Sequence, residues 1–179
     1  VHGLKPCQDL VDAAPAGSTL TPPPGSYAGP VRLDKPLTID GGGRVTIDAG
    51  GKGTVFSLET DGAVLRGLAL TGSGDSHDTD DACLDVRGHR NTIESLAITD
   101  CLFGIDLKQS NGNLVRNNRI VSKPVPLGVR GDALRHPGRV LEDIGQPRCE
   151  GIGRRAIQFV QVHGSLRGSR ELSASAART

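Results

Sequence analysis

The chain has no methionine, no tryptophan, one tyrosine and three phenylalanines among its 179 residues. Without aromatic bulk, a core must be built from Val, Leu, Ile and Ala, which favours thin stacked layers over one large interior. No apolar run approaches the roughly 20 residues of a membrane span. A net charge of +1 lacks the basic excess expected of a protein that binds nucleic acid or an anionic membrane, so neither a nucleic-acid partner nor a membrane span is expected. The four cysteines, Cys7, Cys83, Cys101 and Cys149, form no C-x-x-C pair and match no zinc-site spacing. They read first as buried thiols standing in for small apolar residues. A Cys83–Cys101 disulfide requires the two to stack in neighbouring turns. No methionine opens the chain, so it reads as a mature form or a fragment from which any signal peptide is missing.

What the chain has is glycine, 25 residues of it, and internal repetition. Ile93 and Ile98 recur 22 residues on as Val115 and Ile120. Leu84 and Val86 recur 21 residues on as Ile105 and Leu107. Going back, Phe56 and Leu58 precede Leu84 and Val86 by 28 residues, as Leu65 and Leu70 precede Ile93 and Ile98. The extra residues fit an insertion over Thr71 to Asp81, "TGSGDSHDTDD". Within each copy apolar and polar residues alternate, as in Leu84-Asp85-Val86 and Ile105-Asp106-Leu107. That is the period of short strands with one buried face. Short strands, no internal helix and a unit of this length indicate an all-β solenoid, a parallel β-helix of about five coils. Asn117 and Asn118 then mark a corner between two strands, where an Asn can take a left-handed conformation and its amide can bond the next coil.

At the start, Leu10, Val11 and Ala14 fall on one face of a short helix. Pro6 to Ala14 is read as a cap on the open end of the first coil. Pro22 to Pro24 cannot donate to a central ladder and belong at an edge or a turn. The solenoid with its cap is expected over 1–135, followed by an atypical tail over 136–179. Asn and Lys vanish after His136 while seven Arg appear. "RRAIQFVQVHG" is the only convincing alternation there and is read as one strand, and the small polar residues after it read as disordered. Either a native cap or a shifted reading frame fits this change, and its abruptness favours the second.

The stretch "IDGGGRVTIDAGGKGTVFSLETDGAVLRGLALTGSGDSHDTDDACLDVRG", followed by "FGIDLKQSNGNLVRNNRI" and "SKPVPLGVRGDALR", resembles the NosD family over roughly Leu10 to Arg135. "TGSGDSHD", "FGIDL" and "KPVPLGVRGDALR" are its most specific parts. The resemblance implies a pectin-lyase-like parallel β-helix of the kind found in carbohydrate-binding and sugar-hydrolase domains. It also implies a periplasmic, non-enzymatic accessory role in denitrification: maturation of the copper centre of nitrous oxide reductase, with that enzyme and ABC transporter subunits as partners. Family members are longer and continue with an aromatic stretch and more coils, where this chain turns to "HPGRVLED".

The richest cluster of chemical groups is the insertion, with His77, Asp78, Asp80 and Asp81. It reads first as a solvated acidic loop whose aspartates cap turns, then as a ligand or partner contact, and last as a metal site. Copper enters by resemblance only. A Cu(I) carrier would use thiolate or thioether ligands, and here the Cys are scattered, so no primary copper site is expected. In "SKPVPLGVRGDALR", Lys123, Arg130 and Arg135 make a basic loop that could dock a partner or an anionic cargo, or simply connect coils. Glycan binding or cleavage is the competing function. Asp85 and Asp106 occupy equivalent places in consecutive coils, and hydrolysis needs two carboxylates roughly 5–9.5 Å apart. The alternation aims both outward on an exposed sheet face, where two stacked like charges need Lys108 or Arg87 between them. No aromatic sugar platform accompanies them, so no catalytic residue is assigned. The third reading is an inactive truncated fragment.

Overall fold

The computed structural model describes residues 3–108, 110–123 and 160–163. Among these residues every strand pairing is parallel and there is a single short helix. The fold is a right-handed parallel β-helix of about five turns. β1 (Lys5–Pro6), which pairs below β3, and α1 (Cys7–Ala13) precede the first coil, which comprises β2 (Thr19–Leu20), β3 (Gly25–Ala28) and β4 (Val31–Leu33). The second is β5 (Thr38–Asp48), which runs through one corner, and β6 (Phe56–Leu58). The third is β7 (Val64–Thr71) and β8 (Ala82–Val86), and the fourth is β9 (Thr92–Glu94), β10 (Ala97–Cys101) and β11 (Phe103–Lys108). The fifth is β12 (Leu114–Arg116) and β13 (Arg119–Ser122); β14 (Val160–His163), the strand expected in the tail, pairs in register on β11.

Three faces result. On the first, Leu20, Ile39, Leu65, Ile93 and Val115 stack in one inward column. On the second the column is Tyr27, Ile47, Leu70, Ile98 and Ile120. On the third, Val31, Phe56, Leu84 and Ile105 form one column and Leu33, Leu58, Val86 and Leu107 another. These columns form one continuous hydrophobic cluster, and burial of each such side chain contributes about 1.5–3 kcal/mol. The helix closes the lower end as expected. It buries Cys7 and Val11 and lays Leu10 and Ala14 against the core. Pro22 to Pro24 lie in the turn between β2 and β3, where Tyr27 donates its hydroxyl hydrogen to the Pro23 carbonyl at 2.7 Å.

The corners explain the asparagines. Between the first and second faces, Gly67, Ser95 and Asn117 succeed one another with φ of +62°, +55° and +54°. Glycine stands at position 67 because a side chain there would meet the Gly42 and Gly43 backbone nitrogens at 2.8 and 2.9 Å. The next residue, Asn118, accepts from Leu96 N at 2.9 Å and donates to the Ile93 carbonyl at 3.0 Å. Between the third and first faces Asn91 and Asn113 do the same work. Asn91 accepts from Ala63 N and donates to the Thr60 carbonyl. Asn113 accepts from Asn91 N and donates to the Gly88 carbonyl. Strand ladders end at corners, and these amides supply the coil-to-coil hydrogen bonds there.

The cysteine reading needs correction. Cys83 and Cys101 are not separate thiols; they lie in neighbouring coils with Cα atoms 5.6 Å apart and are joined as a disulfide. Cys7 is the buried free thiol, and burial raises its pKa to about 11. Cys149 lies outside the described residues.

Asn118→Ala removes both bonds of a buried amide and orphans two backbone groups, each costing roughly 1–3 kcal/mol. It is expected to lower the urea midpoint with no change in slope. Asn117→Gly, by contrast, is expected to stay within about 1 kcal/mol, since the left-handed corner asks only for tolerance of positive φ. Reduction of the disulfide, which closes a sequence separation of 18, should cost about 3 kcal/mol; urea unfolding with and without dithiothreitol measures it.

Candidate functional site

The outer surface of the third face carries the charged cluster of interest. Leu84 and Val86 point into the core, so Asp85 points out; Ile105 and Leu107 likewise aim Asp106 outward. The parallel register places Asp106 directly above Asp85. The outward direction was legible, but the exposure was not: Asp85 is 8% and Asp106 0% exposed. An exposed pair is therefore the wrong picture. The insertion after β7 folds back toward this face, and Lys108 is the group that ties the two together. Its ammonium lies 3.1 Å from Asp106, 3.4 Å from Asp80 of the insertion and 3.7 Å from Asp85. Arg87 reaches Asp85 from the rim at 3.4 Å.

Burial is the largest single influence on Lys108 and acts to lower its pKa. The hydrogen bond and charge of Asp106, with the charges of Asp85 and Asp80, together outweigh it and leave the pKa raised. Lys108 is thus a fixed cation at any ordinary pH. It neutralises stacked carboxylates that would otherwise repel one another about one strand spacing apart. It cannot serve as a base there, because a base must give up its proton near the working pH. One oxygen of Asp85, Oδ1, is buried and has no hydrogen-bond partner.

The insertion is a built loop. Asp81 is buried and closes it: Oδ2 accepts from Ser76 N at 3.0 Å, Oδ1 accepts from the Thr79 hydroxyl at 2.7 Å, and its own N–H donates to the Ser76 carbonyl. Asp80 sits at φ +50° and turns its carboxylate to Lys108. His77 is exposed, with its ring edge-on to Phe103 at 5.8 Å between centroids. Asp78 is exposed. Lys123 spans two coils to reach the loop, donating to the Ser73 carbonyl and pairing with Asp75 at 2.8 Å. Of the residues singled out in the sequence, Asp80 joins the charged cluster, while Asp81 and Lys123 hold the loop. His77 packs on the fourth coil, and Asp78 stands apart. Arg130 and Arg135 lie outside the described residues.

Lys108 was named in the sequence only as a possible neutraliser of Asp85 and Asp106. The signal for its central place is the spacing in "IDLK", which puts Asp106 and Lys108 on the same side of one strand. Among the described residues no three His, Cys, Asp or Glu side chains stand together as a metal site.

Lys108→Met should expose the cluster's dependence on one cation. Removing one partner of a buried ion pair costs roughly 3–5 kcal/mol, and about 2 kcal/mol is expected here because Arg87 remains and Asp80 reaches water. The remaining carboxylates would then hold protons more tightly when folded than when unfolded. Stability of the variant should therefore fall as pH rises from about 4 to 7. For the native chain the sign is the same and the window differs: the raised Lys108 pKa stabilises fully below the ordinary lysine range, and that contribution is lost only above a pH of about 10.4. Urea unfolding across pH checks both.

No family model matches the chain, and no curated protein and no solved structure matches it either.

Proposed function

We propose that the chain is a non-enzymatic β-helical accessory protein of the NosD type, acting in the periplasm beside an ABC transporter in assembly of the copper centre of nitrous oxide reductase. The observation that carries this reading is a convergence. Described residues of the three sequence segments most specific to the resemblance, Lys123 alone for the third, are far apart in the chain yet lie on one side of the solenoid. "TGSGDSHD" supplies Ser73, Asp75 and His77; "FGIDL" supplies Phe103 and Asp106; "KPVPLGVRGDALR" supplies Lys123. His77 packs on Phe103, and Lys123 holds Ser73 and Asp75. The register stacks Thr71, Thr99 and Val121, so the repeat brings these segments to one side; what supports the reading is that they include a loop leaving a rigid solenoid, a usual place for function. The Cys83–Cys101 disulfide also favours an oxidising compartment. The role in this reading is one of protein contacts or of handling a sulfur-containing cargo, with copper destined for the reductase.

Glycan binding or cleavage is the second reading, favoured by the in-register pair Asp85 and Asp106 on a lateral face. The two readings separate cleanly. In cells that need this function for an active reductase and lack their own copy, the secreted full chain should restore the copper-loaded enzyme. A folded variant with residues 75–80 replaced by a Gly-Ser linker should not. A folded native chain that restores nothing contradicts the first reading. Release of reducing sugar from a polysaccharide, abolished by Asp106→Asn, would establish the second.

A further inference from the structure

The chain has five asparagines, Asn91, Asn111, Asn113, Asn117 and Asn118. Asn91, Asn113 and Asn118 commit their side-chain amides to neighbouring coils, and Asn117 forms a left-handed bend. Asn111 does neither. It lies between β11 and β12, at the corner where Asp61, His89 and Asn111 succeed one another coil by coil. There each backbone N–H meets the side chain of the coil before it. His89 N donates to Asp61 Oδ1 at 2.8 Å, and Asn111 N donates to His89 Nδ1 at 3.0 Å. Arg90 N in turn donates to the Asn111 carbonyl at 3.0 Å. The backbone of Asn111 is thus held on both sides, while its side chain is not. Among the described residues no hydrogen bond is made by the Asn111 side-chain amide or by the N–H of Gly112, and both residues are exposed.

Gly112 supplies the second condition. Asparagine is a thermolabile residue, and what it reacts with is the backbone nitrogen that follows it. Gly112 has no Cβ to shield that nitrogen, and the space where a Cβ would stand meets only the Arg90 side chain, at 3.6 Å. Elsewhere the successor carries a side chain: Thr92 after Asn91, Leu114 after Asn113, Asn118 after Asn117 and Arg119 after Asn118.

We propose that Asn111 is a site of spontaneous modification in the folded protein, converting through a cyclic imide to aspartate and isoaspartate. The Gly112 nitrogen gives its proton to solvent base and attacks the side-chain carbonyl carbon of Asn111. A bond forms between these two atoms, the bond to the side-chain nitrogen breaks, and that nitrogen takes a proton from solvent and leaves as ammonia. Water then opens the ring at either carbonyl. One opening leaves an ordinary aspartate. The other routes the main chain through the former side chain, so that the carbonyl accepting from Arg90 N becomes a free carboxylate. The main chain thereby gains one atom just before Asn113, which bonds Asn91 N and the Gly88 carbonyl. That extra atom works against the register of β12 on β9. The site does not depend on the proposed function.

The test is incubation of the folded full chain at mildly alkaline pH, then digestion and mass spectrometry with separation of aspartyl from isoaspartyl peptides. Asn111 should be the first asparagine to convert, and both products should appear. Its rate should rise about tenfold per pH unit, since the reactive form is the deprotonated nitrogen. It should also lie within about tenfold of the rate in urea-unfolded chain, because no opening of the fold has to come first. Asn91, Asn113 and Asn118 should remain amides over the same interval. The separated isoaspartyl form should unfold at lower urea than the aspartyl form, and equal midpoints would overturn the effect on register. An Asn111 that stays intact in the folded chain while it converts in the unfolded one overturns the proposal, as does earlier conversion at any other asparagine.

Discussion

Parallel stacking at a single strand spacing governs this molecule. Each residue sits one strand width, about 4.8 Å, from its equivalent in the coils above and below, so like positions meet like positions through the whole solenoid. For apolar residues this is an advantage, and the inward columns of Leu, Ile and Val follow from it. For polar residues it is a constraint that has to be met position by position. At the corners, asparagine meets it with an acceptor and a donor on one side chain, so Asn91, Asn113 and Asn118 can each bridge a gap where the strand ladder lapses. On the outside of the first face the constraint is met by alternating charge. Asp40, Arg66, Glu94 and Arg116 succeed one another in register, with Arg66 on Asp40 at 2.9 Å and Arg116 on Glu94 at 2.7 Å.

The third face departs from that alternation. Asp85 under Asp106 places two acids in succession. In water such a pair would cost little, but here both acids are buried, and Lys108 becomes the compensating group. The loop brings a third carboxylate, Asp80, to the same ammonium. The loop, the charged column and the fourth coil are thereby one coupled unit, further bound by the disulfide at the loop's end and by Lys123 from the fifth coil. The solenoid's regularity is scaffold. Its distinctive chemistry lies where regularity lapses.

The architecture was largely legible because its cause is periodic. A 22-residue recurrence of Ile93 and Ile98 has one economical explanation, and the register of Ile98 with Ile120 and of Val115 with Ile93 follows it. Asn117 at a left-handed corner was legible for the same reason: a polar residue between two alternating runs marks a bend. The candidate site was legible only in part. Alternation fixes the side of the strand on which Asp85 and Asp106 emerge, but it carries no information about what covers them. That depends on contacts outside the strand columns, and those seen here are single ones, such as Lys108 with Asp80, with no repeat to announce them. The disulfide was legible only as a possibility, since a sequence separation of 18 does not show that Cys83 and Cys101 stack.

The claim at the centre is that one ammonium holds the stacked carboxylates in their buried setting. A double-mutant cycle tests it most directly. Urea unfolding of the native chain, Lys108→Met, Asp106→Asn and the double variant at pH 7 yields the coupling free energy between the two side chains. A coupling of about 1–2 kcal/mol is expected, with the double variant more stable than the sum of the single losses, because removing the second charge relieves what removing the first exposed. Additivity within about 0.3–0.5 kcal/mol would contradict it, and would leave Asp85, Asp106 and Lys108 as neighbours without a shared electrostatic role.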